Sequence, residues 1–273
     1  MIKVNIIIAL YYPQYYTKVR EAILSTFSNF DYFLMFVDNS GKIIPDIEPD
    51  SKVRWLLGSN LAGEFSAWDE GYSYLNELYD VKENDVIVFI NDTFCHHRFF
   101  TRYDEALYKK VLLECHGNCV YGELNSTGEY FGINDLSFSS WISSYFFLGT
   151  KNSIDKIIPL NKVSSISIEN AVIIEENLAL GKVNIPMFTK TLNSHLTNWL
   201  FPKNGKGWYR ASDVTQNALY FKLKAIINEK LLTFSILNNN MTLVNIYNSK
   251  VSRIYNSARN KLYSVCKRNN LIR

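Results

Sequence analysis

The chain has 273 residues, 47% of them hydrophobic, with 29 Lys and Arg against 26 Asp and Glu, a composition that forms a core and excludes general disorder. No stretch approaches the roughly 18 consecutive apolar residues of a membrane span, and Met1-Ile-Lys-Val opens directly in a strand pattern without a signal peptide, so a cytosolic protein is expected. The signatures of an RNA-binding module are absent, and no nucleic-acid partner is expected.

Val4 to Leu10 reads as a buried strand, Tyr16 to Phe27 as a helix and Tyr32 to Val37 as a second strand ending in Asp38-Asn39-Ser40. A short strand follows at Val53 to Leu57. Asn60-Leu-Ala-Gly63 then leads into a helix with Phe65, Trp68, Tyr72 and Leu75 on one face. Residues 85–93, Asp85-Val-Ile-Val-Phe-Ile-Asn-Asp-Thr93, are an apolar strand that ends on three polar side chains. In an open α/β sheet, ligands sit beyond the carboxyl ends of the strands, so Asn91, Asp92 and Thr93 suit Mg²⁺ or Mn²⁺ carrying a diphosphate. The same tripeptide also suits a turn with an Asx cap. Strand, helix, strand, strand, helix, strand is a nucleotide-binding layout.

These segments resemble the nucleotide-sugar glycosyltransferases of the GT-A fold, in particular the inverting transferases of bacterial polysaccharide synthesis. The resemblance implies that Asp38 contacts the nucleotide. It also implies that Asn60, Gly63 and Gly71 form the glycine-spaced opening of the next helix, and that Asn91-Asp92-Thr93 replaces an Asp-rich metal triplet. Two departures are plain: Asp69 stands where a second Asn is usual, and the triplet keeps only its central carboxylate. Downstream, Ser167-Ile-Glu169-Asn170 opens an apolar-faced run to Leu180, followed by Gly181 and the strand-like Lys182 to Ile185. The resemblance makes Glu169 the catalytic base; Ser167 as N-cap with Glu169 in the first turn is the plainer structural reading.

His96, His97 and Arg98 follow the triplet and either face the diphosphate or form a solvated helix start. Cys95, Cys115, Cys119 and Cys266 form neither a CxxC pair nor a disulfide framework, which suits a reducing compartment and argues against zinc. Cys119 to Leu124 reads as a strand, Asn125 to Asn134 as a loop, and Trp141 to Gly149 as an aromatic-rich strand in the region where an acceptor docks. His195 stands where some relatives in that family place a metal or phosphate ligand. After Glu229 every charged residue is basic, and Val251, Ile254, Tyr255, Ala258, Leu262 and Val265 recur at helical spacing. Residues 243–273 therefore form a basic amphipathic helix, either lying on an anionic membrane or docked on the domain with a solvated basic face.

The expectation is an α/β, GT-A (Rossmann-like) fold with a mostly parallel central sheet flanked by helices and a C-terminal helical extension. Residues 1–202 would form the transferase domain, with a nucleotide-binding part at about 1–95 and an acceptor part at about 96–202, and 208–273 the extension. The implied function is transfer of a sugar, with inversion, from a nucleotide-sugar donor to a saccharide or lipid-linked saccharide acceptor in O-antigen or capsule synthesis, at the inner face of the cell membrane. A nucleotidyltransferase is the alternative enzyme, although Leu10-Tyr-Tyr-Pro-Gln14 lacks the Gly-rich basic loop it would need. A degenerate transferase serving as a scaffold is the non-enzyme alternative.

Overall fold

In the computed structural model, which describes residues 3–44, 52–163, 172–173, 181–201, 215–269 and 271, the first strand, β1 (Lys3–Leu10), is buried on both faces. Val4, Ile6, Ile8 and Leu10 enter one apolar cluster, and Ile7 and Ala9 enter another. Side chains alternate faces along a strand, so a strand apolar at nearly every position belongs inside a sheet covered on both sides. β1 pairs in parallel with β2 (Asp31–Asp38) and β4 (Val86–Asn91), and β3 (Val53–Leu57) adds to β2. Beyond β4 lie β8 (Trp141–Thr150), β5 (Cys119–Asn125) and β11 (Thr242–Asn245), giving the order β11-β5-β8-β4-β1-β2-β3. Within this sheet only β8 runs against its neighbours.

Helices α1 (Tyr16–Phe27) and α3 (Arg102–Glu114) cover one face through Val19, Ile23, Phe27, Tyr108 and Leu112. On the other face lie α2 (Glu64–Leu78), the short α4 (Lys151–Asp155) and the carboxyl-terminal half of α6 (Gln216–Asn238). A third cluster joins the hairpin β6 (Phe131–Ile133) and β7 (Leu136–Phe138) to α5 (Lys190–Leu200) and the first half of α6. The result is a Rossmann-like α/β fold with a mostly parallel sheet, as the strand and helix pattern implied.

Three differences from the sequence reading have physical causes. The stretch expected as a loop at 125–134 contains β6, whose Phe131 and Ile133 are fully buried. The helix expected from Ser167 to Leu180 is interrupted, because Val172–Ile173 form a strand, β9, paired antiparallel with β10 (Lys182–Val183). Val172 and Ile173 are β-branched, and pairing suits them better than a helix does. The segment after the 203–207 loop, itself outside the described residues, is not an appendage throughout. β11 is a strand of the main sheet, and Leu232, Ile236 and Met241 share its core; the last helix, α7 (Lys250–Arg268), extends beyond it.

Gly71 fixes how closely α2 lies on the sheet, since a Cβ there would meet Ile7 Cγ2 at 2.6 Å and Val37 Cγ2 at 3.1 Å. Gly71→Ala should therefore overpack the core and cost about 1–3 kcal/mol, although alanine is the better helix former. Urea denaturation measures this, and a variant as stable as the parent would mean that α2 shifts freely.

Candidate functional site

The order of the strands reverses at β1: β2 and β3 lie on one side, β4 on the other. A crevice forms at such a switch point beyond the carboxyl ends of the strands. Here the chain leaves β1 through Tyr11 and Tyr12 into a single 3-10 turn, Pro13–Tyr15. Asp92, one residue past β4, crosses the crevice: its Oδ2 accepts hydrogen bonds from the backbone N–H groups of both Tyr11 and Tyr12, each at 2.7 Å. Its own N–H donates to the Ala9 carbonyl at 3.0 Å. The neighbours of Asp92 hold the strand tip. Asn91 Nδ2 donates to the Ser144 carbonyl, and Asn91 Oδ1 accepts from the Thr93 N–H and hydroxyl at 3.1 and 2.7 Å. The tip is thus an Asx turn in which Asn91 and Thr93 bond each other and Asp92 reaches across to β1.

A cleft of about 410 Å³ opens beside this bridge, lined by Tyr11, Tyr12, Asn39, Ser40, Lys42 and Asn60 among others. That volume lies within the range of small-molecule sites. Asp38 shapes one wall: Oδ1 accepts from the Ser40 N–H and hydroxyl and Oδ2 from the Ile43 N–H, so its carboxylate organises the loop that presents Ser40 and Lys42. Asn60 has a left-handed φ of 53°, and Gly63, with φ of 60°, begins α2 and accepts a hydrogen bond from Asn39 Nδ2 at 2.9 Å. The Oδ1 atoms of Asn39 and Asn60 are both buried without a partner in the protein. Buried amide oxygens without a partner are uncommon and costly, and Asn39 Oδ1 lies packed against Gly58. The Tyr11 and Tyr12 rings stand edge to face with centroids 5.0 Å apart.

The charged groups nearby are held in an unfavourable state. Burial raises the Asp92 carboxyl to about 6, and repulsion from Glu64 adds to the shift, while the Tyr11 and Tyr12 N–H groups oppose it. Glu64, in the first turn of α2, is also raised, first by burial, with the Lys222 charge and the Ser144 hydroxyl at 3.2 Å working against it. Because β8 is antiparallel to β4, with Ile90 opposite Phe146, its first residues extend past the β4 tip. There Glu229 of α6 accepts from Trp141 Nε1 at 2.8 Å and from the Ser144 N–H at 3.0 Å. Lys230 is buried with Nζ 3.1 Å from the Trp141 ring centre, and burial lowers it to about 7.

Other expected site residues lie elsewhere. Asp69 faces away from the cleft, its two oxygens accepting from the N–H groups of Leu160 at 2.6 Å and Asn161 at 2.8 Å, so it fixes the loop after α4. His195 packs on Phe131 and Trp141, with centroids at 4.7 and 5.7 Å, and burial lowers it to about 4. It therefore packs against the third apolar cluster, half-buried. His96 stacks on Tyr15 at 3.7 Å, and burial lowers both His96 and His97 to about 4, so neither offers positive charge to a phosphate at neutral pH. Glu169 lies outside the described residues. Among the described residues no three His, Cys, Asp or Glu side chains gather as a metal-holding group. Tyr11, Tyr12, Asn39, Glu64 and Glu229 are additions to the site. Signals for three of them stand in the sequence: Tyr11-Tyr12-Pro13 directly at the end of β1, and Glu229, paired with Lys230 inside an apolar helical run.

No family model and no curated protein matches the chain. Among solved structures it is similar to the crystal structure of 4-diphosphocytidyl-2C-methyl-D-erythritol synthase, at 13% identity and a TM-score of 0.34, over 57% of this chain and 77% of that one. That degree of likeness carries no inference about chemistry.

A folded-state carboxyl raised from 3.8 to about 6 binds its proton more tightly than in the unfolded chain, so Asp92 favours folding below pH 3.8 and that contribution is lost as pH rises through 6. Asp92→Asn keeps an acceptor for the two N–H groups and has no proton to lose. The stability difference, variant minus parent, should therefore rise by about 3 kcal/mol between acid and neutral pH. Denaturant titrations across that range give the difference, and a flat one would mean that Asp92 is not buried as described.

Proposed function

We propose that the cleft between the carboxyl ends of β1 and β2, beside the β1–β4 switch point, binds the nucleoside diphosphate of a nucleotide-sugar, and that the protein is an inverting glycosyltransferase. The observation that carries the first part is the cleft itself: Tyr11 and Tyr12 offer flat faces for a base, and Ser40 and Lys42 line the same cleft with a hydroxyl and a cation for ribose and phosphate oxygens. Asp92 and Glu64 are two hard-oxygen ligands that repel each other and are poorly solvated, which suits Mg²⁺ or Mn²⁺. Such an ion commonly rests on one or two carboxylates and takes its remaining ligands from substrate phosphates and water. When bound it would offset charge on the leaving diphosphate. Thr93, whose Oγ1 keeps its lone pairs while donating to Asn91, would be a third ligand, and His195, packed on Phe131 and Trp141, a further one. Glu169 remains the proposed base that takes the proton of the attacking hydroxyl of a saccharide acceptor.

Transfer of the nucleotidyl group itself is the second reading, since it uses the same kind of sheet and strand-end acids. That chemistry calls for a loop after β1 whose backbone N–H groups face the phosphates. Here the two N–H groups that begin this loop, Tyr11 and Tyr12, are already donated to Asp92. This favours glycosyl transfer.

A thermal-shift screen against UDP-, dTDP- and GDP-sugars, with and without Mn²⁺, should find a donor that raises the melting temperature more strongly with the ion. Supplied with acceptor, that donor should release nucleoside diphosphate. Glu169→Gln should slow the release roughly a hundredfold with donor affinity unchanged. Pyrophosphate release from a nucleoside triphosphate and a sugar phosphate would replace this reading with nucleotidyl transfer, and no stabilisation by any nucleotide would favour a scaffold.

A further inference from the structure

An amphipathic helix packed on a domain normally turns its apolar stripe inward. α7 does the reverse. The residues it buries are Ser252, Asn256, Arg259, Asn260 and Tyr263. Arg259 holds them in place: its guanidinium pairs with the buried Asp104 carboxylate of α3 and donates to Thr101 Oγ1 and to the Tyr247 hydroxyl, both at 3.0 Å. Phe99 N–H donates to Asn260 Oδ1 at 2.8 Å. Lys267 Nζ donates to the His96 carbonyl at 2.7 Å, which ties α7 to the turn that begins at Asp92.

The opposite face is left to solvent. Val251, Ile254, Tyr255, Leu262 and Val265 are 77%, 60%, 54%, 65% and 51% exposed, and with Ala258 they fall within about 100° of arc at 3.6 residues per turn, along about 20 Å of helix. Tyr103, half-exposed on α3, meets the Tyr255 ring edge to face at 5.6 Å and widens the patch. Lys250, Lys261 and Arg268, all exposed, line one flank of the stripe, and no carboxylate follows Glu229 in the chain.

We propose that this face of α7 is a docking surface for an anionic lipid leaflet, with the apolar stripe entering the headgroup–acyl boundary and the basic flank meeting lipid phosphates. Charge selects this occupant. A second copy of the chain would set two basic, carboxylate-free helices against each other, whereas an anionic leaflet complements them. No described helix is long and apolar enough to cross a membrane, so the contact is interfacial.

Co-sedimentation of the full chain with vesicles of mixed phosphatidylglycerol and phosphatidylcholine, against phosphatidylcholine alone, tests this. Binding should need the anionic lipid and weaken with salt. Ile254→Glu with Leu262→Glu should lower it tenfold or more. Neutralising Lys250, Lys261 and Arg268 to serine should lower it by roughly fivefold for each residue. All five positions are exposed, so the melting temperature should stay at the parent value. A parent protein that remains in the supernatant with anionic vesicles would overturn the proposal, as would a glutamate variant that binds as well as the parent. A dimer in sedimentation equilibrium that the glutamate variant dissolves, without vesicle binding, would reassign the face to self-association.

Discussion

The two hydrogen bonds from Tyr11 and Tyr12 to Asp92 tie the chain leaving β1 to the end of β4, the strand that pairs beside it in the sheet. Without them, the loop after β1 would have two N–H groups to satisfy in a partly buried place, and the wall of the cleft that carries both tyrosine rings would have no fixed position. The cost is visible in the same residue. A carboxylate surrounded by protein and close to Glu64 keeps its charge only against its environment, and the two N–H bonds offset part of that penalty.

Much of this frame is legible in the sequence. The runs of β-branched and aromatic residues in β1, β2 and β4 place them inside a sheet, and the polar residues that end each run mark the crevice edge. Gly71 is legible as a close-approach position because its neighbours on α2 form one apolar face. What the local pattern does not carry is partner choice. Asp38 and Asp69 look like ligand-facing acids, yet each is taken up by backbone N–H groups nearby in space, Asp38 by its own loop and Asp69 by a loop some ninety residues away. Only tertiary structure decides which donors a carboxylate meets. The surroundings of His195 are likewise set from afar: Phe131 and Trp141, distant in sequence, pack on its ring.

The carboxyl-terminal third shows how far periodicity alone can be read. The apolar stripe of α7 is evident in the sequence, but amphipathicity does not say which face turns inward. The buried Arg259–Asp104 pair, supported by Tyr247 and Thr101, decides it in favour of the polar face. Removing one partner of such a pair leaves a charge unpaired in the interior, so its geometry is strongly specified even where its net contribution to stability is small. α6 is hard to read for the opposite reason: it serves two cores, the sheet through Leu232 and Ile236 and the third cluster through Leu223 and Ile227, and is apolar around much of its circumference.

The central claim is that the cleft between the ends of β1 and β2 is where a nucleotide sits. Hydrogen–deuterium exchange with and without a nucleotide-sugar and Mn²⁺ tests it at the level of segments, independently of turnover. Slower exchange concentrated in peptides covering Tyr11–Tyr15, Asn39–Ile44 and Gly58–Phe65 is the expected result. Unchanged exchange there, or protection confined to a different face such as α5 and the third cluster, would contradict it.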